Sequence, residues 1–322
     1  MPDFGFLDHN GKFGAFWYDT GEKITVFLPH ENPPILEGSI ALWKNHGEYE
    51  GTPGDKVKYS SEINAAALVT AQINCFMRKE TVKQLAVPRG SYYPRVWRGI
   101  PPEHMLDSGY NGLTLSEAEI KTKTQNALSA ASLFEEINSL FRSVEPSPSN
   151  DKAFGHKVRE LLILACTEVE ANWRGVYEAN SSSTKKPDGT RDYVKLKPLL
   201  RLDEWVVRLK NHPDYPPLKP FDGWIDEKGM TTQSLPWYHS YNAVKHDREK
   251  EFHQASLGSL IMAMAAIHVL QVSQWGPELY HRFQGNQFSI FETIQMPIYE
   301  AHEQYILVEA GLYPSQRTKY FG

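Results

Sequence analysis

Residues 234–272 read SLPWYHSYNAVKHDREKEFHQASLGSLIMAMAAIHVLQV, and the reading of this stretch decides the fold. Ser234 is placed to cap a helix, and Pro236 falls in the first turn, where a missing N–H costs nothing. Trp237, Tyr241, Val244, Phe252 and Ala255 follow at helical spacing as an apolar stripe. Arg248 falls on that same stripe. A charge on a buried stripe is costly unless it is paired, so this one needs a partner or a task. Asn242, His246, Glu249 and His253 form a second, polar stripe at steps of 4, 3 and 4. From Leu257 the stretch is nearly all apolar. It is expected to be a core helix with a polar site at its start.

The sequence before this stretch is helical too. Ser116 and Glu119 have the spacing of a capping box, and the helix they open is expected to run to about Val144. EPSPSN, residues 145–150, breaks it. A strongly amphipathic helix follows, with Phe154, Val158, Leu161, Leu162, Ala165, Val169, Trp173 and Val176 in register. Glu168 and Glu170 lie beside its apolar stripe. After a polar loop at 180–192, VKLKPLLRLDEWVVRLKNH reads as a helix interrupted before Pro198, then a proline-rich connector leads to Trp224. The tail has one helical stretch, around 297–310.

The N-terminal part reads differently. FGFLD, KFGAFWY, KITVFLP, GSIALW and KVKYS are short and rich in β-branched and aromatic residues, and Asn10-Gly11 is a hairpin signal. Five such segments in about 58 residues predict a small barrel. A helix is expected over 61–80. An irregular segment to 112 interleaves Arg89, Arg95 and Arg98 with Tyr92, Tyr93 and Trp97. That pattern suits either nucleic-acid stacking or a loop packed on the domain body. The fold class is therefore α+β. A β-barrel-like domain spans 1–60, a helix and connector 61–112, and a mainly α-helical domain with a C-terminal extension 113–322.

Composition narrows the function classes. The chain has 322 residues and a net charge of −5, so there is no global basic footprint for nucleic acid. Cys75 and Cys166 are too few for a disulfide framework or a cysteine zinc site, which fits a reducing, cytoplasmic setting. No signal peptide is read at the start, and the apolar run from Leu260 to Val272 is too short to span a bilayer, so no membrane partner is expected. Neither G-x-S-x-G nor a Walker A or Rossmann fingerprint occurs, and Cys166 sits in an apolar helix as inert packing. No cofactor is implied.

Two resemblances add to this reading. Arg248-Glu-Lys-Glu-Phe-His253 fits R-x4-H. With YNAVKHDR and the two preceding helices, residues 150–275 resemble the HEPN superfamily. Glu249 stands where that family usually carries Asn, Asp or His. The resemblance implies a helical bundle, often a homodimer, acting as a metal-independent ribonuclease in toxin–antitoxin or phage-defence systems. RNA and an antitoxin or defence partner are then the expected ligands. Separately, GKFGAFWY, KITVFLPH and LEGSIALW resemble the cold-shock type of OB-fold, which would expose Phe13, Phe16, Tyr18 and Phe27 to bases. Against that, residues 1–60 hold five Lys and nine acids, which suits core aromatics better than a phosphate groove.

The chemistry of the helical site has three readings. In the first, His253 is the acid/base and Arg248 clamps phosphate, with Asn242, Lys245, His246 and Asp247 in support and Glu168 or Glu170 orienting Arg248. On one straight helix, five residues turn about 500°, so Arg248 and His253 would point about 140° apart. They converge only if the helix breaks near Asp247 or two subunits share a site. In the second, His246, Glu249 and His253 hold a metal; HEXXH is absent, and this reading ranks below the first. In the third, Arg248 forms a structural ion pair with Glu168 or Glu170, and the domain is a non-catalytic interaction module.

Overall fold

The computed structural model describes residues 3–8, 10–19, 23–29, 35–39, 50–51, 55–56, 78–98, 115–247, 249–280, 288–306 and 316–322. It is mixed helix and sheet. The chain divides into two compact units. One comprises Met1–Tyr92, Arg98–Thr114 and Ile298–Arg317; the other comprises Tyr93–Trp97, Leu115–Pro297 and Thr318–Gly322. The division is discontinuous, unlike the linear one at residues 60 and 112 that the sequence suggests.

In the first unit, β1 (Asp3–Leu7), β2 (Phe13–Asp19), β3 (Lys23–Phe27) and β4 (Ile35–Ser39) form an antiparallel meander. Two further two-residue strands, β5 (Glu50–Gly51) and β6 (Asp55–Lys56), pair with each other. β7 (Lys83–Gln84) joins the free edge of β1, giving the order β4-β3-β2-β1-β7. The Asn10-Gly11 turn closes with Asp8 Oδ1 accepting the Lys12 N–H at 2.7 Å. The expected barrel is corrected here: among the described residues the sheet is open, and its two ends do not pair. The base-stacking alternative is not met, and the core-aromatic reading is. Phe13, Phe16 and Phe27 are buried on both faces of the sheet: Phe13 meets Phe27 on one side, and Phe16 meets Phe4 and Phe6 on the other. The Tyr18 side chain lies outside the described residues, as do the expected helix at 61–77 and most of GSIALW and KVKYS. Of the interleaved basic segment, Arg89 packs over the Trp17 ring and Arg98 over that of Tyr299. β8 (Ser91–Tyr92) completes this segment.

The second unit is built on helices. α1 (Glu117–Leu140) opens with the expected capping box of Ser116 and Glu119. α2 (His156–Asn180) buries Val158, Leu161, Leu162, Ala165, Val169, Trp173 and Val176, the stripe read in the sequence. Phe154, expected in that stripe, precedes the helix and is 53% exposed. The segment expected as one helix after residue 193 is shorter pieces instead: α3 (Thr190–Tyr193), α4 (Leu196–Leu200) and the strand β9 (Val206–Leu209). Arg201 takes a left-handed φ of 50°, which ends α4. Val206 and Val207 then pair as a strand with β10 (Phe291–Gln295), where β-branched side chains fit better than in a helix. In the first unit, the helix expected at 297–310 reduces to one 3-10 turn, Ala301–Glu303, within its described part, and β11 (Gln316–Arg317) pairs with β8.

The deciding stretch is two helices. α5 (Pro236–His246) ends with Asp247 as its C-cap. Leu235, one residue after the expected Ser234, is the N-cap. α6 (Leu257–Trp275) starts on a new cap, Ser256, whose Oγ accepts the Ser259 N–H at 3.2 Å. α6 is the axis of the unit. Nearly every residue is buried, and it packs against α1, α2 and α5. It is the one described helix long and apolar enough to cross a membrane by length and composition, and it is mostly buried, as in the core of a soluble protein. α2 and α6 run parallel. Ala153 and Asp151 accept from the Leu257 and Gly258 amides at one end, and Asn172 meets Gln271 and Gln274 at the other.

Candidate functional site

The break between α5 and α6 follows from local chemistry. Asp247 leaves helical dihedrals (φ −132°, ψ 79°), and its Oδ1 accepts the Lys250 N–H at 3.2 Å, a side-chain bond that competes with helix continuation. Glu251 N–H donates back to the Asp247 carbonyl at 3.0 Å, and a 3-10 turn, Phe252–Gln254, carries His253. His246 is the last residue of α5 and is exposed; Lys245, Glu249 and His253 are exposed as well, and Asn242 and Asp247 are half-buried. Arg248 lies outside the described residues.

The break rearranges the histidine stripe. His246, Glu249 and His253 no longer share a helix, so the steps of 3 and 4 that would gather them round an ion are lost. Among the described residues no group of three or more His, Cys, Asp or Glu is placed to hold a metal.

Phe252 ties this turn to the start of α2. Its ring lies 5.0 Å from that of His156 and 5.8 Å from that of Phe154, and the Arg159 guanidinium sits over it at 5.4 Å. An isolated bridge between Phe154 and Ser256 holds the two segments side by side. The neighbourhood of His253 therefore carries a second histidine, an arginine and an exposed aromatic, all from the start of α2 and the residue pair before it. Arg159 and His156 were missed because their link to His253 runs through chain pairing about a hundred residues apart.

The two acids expected to orient Arg248 have other partners. Two residues apart on α2, they turn about 200° from one another. Glu170 faces α5, where Tyr238 OH donates to its Oε1 at 2.7 Å. Beside it, Lys245 Nζ donates to Tyr241 OH at 2.8 Å and lies over that ring. Burial, then the Glu170 bond, pushes the Tyr238 hydroxyl far above its ordinary range; burial raises the Cys166 thiol.

Glu168 faces the far end of α6, where a buried polar cluster was not anticipated. Asn172 Nδ2 donates to Glu168 Oε1 at 2.9 Å, and Asn172 Oδ1 accepts from Asn126, Gln271 and Gln274 at 3.3, 3.1 and 3.0 Å. Gln274 Oε1 in turn accepts from Arg95 Nε at 2.8 Å. Burial raises the Glu168 carboxyl, and the Asn172 bond and the Arg95 charge offset part of that rise. Further along, His268 stacks on Tyr280 at 4.9 Å, with Ser289 and Thr293 hydroxyls at 2.8 and 3.0 Å from its two ring nitrogens. The sequence did hold a signal: His268, Gln271 and Gln274 recur at steps of three in an apolar helix, and buried amides require partners.

No family model, curated protein or solved structure matches this chain.

Proposed function

We propose that the chain is a metal-independent endoribonuclease with a HEPN-like helical domain, acting at the break between α5 and α6. The observation that carries the reading is the end of α5 at His246. It removes the single-helix geometry that would hold Arg248 and His253 about 140° apart. His253 sits exposed on the turn beyond the break, as an acid/base must. In the reaction, the 2′-oxygen attacks phosphorus and the bond to the 5′-oxygen breaks, leaving a 2′,3′-cyclic phosphate and a 5′-hydroxyl. One group removes the 2′ proton and another protonates the leaving oxygen. His253 fills one role. His246, exposed as the last residue of α5, is available for the other. Arg248 takes the phosphate.

The competing interaction-module reading needs Glu168 or Glu170 as a partner for Arg248. Glu168 is bonded to Asn172 and Glu170 to Tyr238, so their burial is explained without that ion pair. The resemblance supplies the setting: a homodimer, in a toxin–antitoxin or phage-defence system, with an antitoxin or defence protein as partner. The test is cleavage of a mixed RNA pool in EDTA by the wild type, Arg248→Ala and His253→Ala, with mass followed by light scattering. Cleavage that falls about 10²–10⁴-fold in both variants is expected. Equal cleavage in all three, or none in the wild type, sinks the assignment.

A further inference from the structure

A second cluster of polar groups lies at the other end of α2 and α6, around Arg95, apart from the α5–α6 break. Arg95 has a φ of 58°, a left-handed conformation that L side chains rarely adopt. Its guanidinium is laid against α2 over Gly175. A Cβ on Gly175 would stand 1.9 Å from Arg95 Nη1, so this helix-interior glycine is required by the arginine. The guanidinium is largely buried, which lowers its pKa to about 10 despite the charges of Glu168 and Glu178 nearby. Its Nε donates to Gln274, but neither terminal nitrogen has a hydrogen-bond or ion-pair partner among the described residues. Such a charge is expensive to bury without a close counter-ion. The residue as a whole is only half-buried, which leaves an approach from solvent.

The surroundings are short of acceptors. Arg95 lies over the ring of Trp275, whose Nε1 is buried without a partner. Tyr280 packs against the cluster of Ala127, Trp275 and Leu279, and its hydroxyl is also buried without a partner. Both are donors. Buried donors left open beside an open guanidinium call for an anionic acceptor. Glu168 is the acid close to both Arg95 and Tyr280, and burial raises its carboxyl.

We propose that Arg95 anchors a binding site for a small oxyanion, a carboxylate or a phosphate, at the C-terminal turn of α6. Its planar fork suits either group in two-point contact. The Gln271 Oε1, buried and unpartnered, would accept from a hydroxyl or amide on the same ligand.

The test is the thermal midpoint of the full chain in three titrations at matched ionic strength: inorganic phosphate, acetate and chloride. The wild type is expected to rise by about 5 °C at a hundredfold excess of phosphate or acetate over its dissociation constant. Whichever of the two raises it names the class, and chloride should have no effect. Arg95→Gln should abolish the rise while leaving the anion-free midpoint unchanged or higher, since it removes an unpaired buried charge. A purely structural arginine would give the reverse: a lower midpoint without anion. Should Arg95→Gln fail to fold, Gly175→Ala is the second variant. It favours helix intrinsically and displaces the guanidinium, so it too should lose the response. A rise that is equal in wild type and variants, or equal with chloride, or absent in the wild type, overturns the proposal.

Discussion

Replacing Asn172 by alanine tests whether the buried amide cluster is a single connected network. Asn172 is 1% exposed and serves four neighbours. The losses are unequal. Asn126 is half-buried, so water replaces its bond. Gln274 keeps the Leu270 carbonyl at 2.6 Å. Gln271 keeps nothing: it is fully buried, its Oε1 is already unpartnered, and Asn172 is the one recorded acceptor for its amide among the described residues. A buried polar group left open costs about 1–3 kcal/mol, and a lost bond to a carboxylate such as Glu168 about 1.5–3. Together they give a destabilisation of about 3–5 kcal/mol. Urea unfolding followed at 222 nm, where the helices dominate, should show this as a lower midpoint at constant m-value. Asn126→Ala should cost under about 1 kcal/mol. Replacing both partners, as Asn172→Leu with Gln271→Leu, should recover part of the loss, because no open polar group then remains. A cost below about 1 kcal/mol for Asn172→Ala, or a double variant worse than the sum of its singles, refutes the network.

Two further outcomes follow from buried groups in the same unit. Burial lowers the His268 pKa to about 3, with the Lys210 charge adding to the effect. The unfolded chain binds the proton near the ordinary value of 6.5, so the stability from neutral His268 is complete above pH 6.5 and is lost as pH falls toward 3. The loss approaches about 1.4 kcal/mol per pH unit. Glu168 has the opposite sign: its raised carboxyl favours folding most below its ordinary value and loses that contribution as pH rises through its folded value. Urea midpoints between pH 7 and pH 4 should therefore fall less steeply for His268→Gln than for wild type, and parallel slopes would contradict the assignment. Gly276 ends α6 at φ 93°, and a Cβ there would stand 2.8 Å from Trp97 Nε1. Gly276→Ala should cost about 1–3 kcal/mol in the same assay, and a neutral substitution would mean that the turn relaxes freely.

Patterns carried by neighbouring residues were legible in the sequence. The capping box at Ser116, the buried stripe of α2 and the apolar run of α6 all rest on local periodicity, and the structure has each of them. What failed was local propensity outvoted by distant partners. VVRL reads as helix beside KPLLRL, yet pairs as a strand with residues about eighty positions away. The barrel expected from five strand-like segments is, among the described residues, an open sheet, because strand propensity does not say which edges pair. The α5–α6 break was legible only as a condition. Asp247 was the residue at which a break would be useful, while the hydrogen bond that makes it, from the Lys250 amide, is a matter of side-chain geometry.

The same limit explains why Glu168 was noticed for the wrong reason. An acid beside an apolar stripe calls for a cation, and Arg248 was the cation on the neighbouring pattern. Arg95 comes from an irregular segment with no periodicity, more than seventy residues before Glu168, so no spacing rule connects them. Three properties of the position do: a left-handed residue that is not glycine, a glycine inside a helix, and two amides on an otherwise apolar one. Each alone is a minor cost to folding. The left-handed residue, the glycine and one of the amides, Gln274, meet at a single guanidinium, while Gln271 is bonded to Asn172. That meeting of local costs around one charge is the physical argument for the proposed anion site.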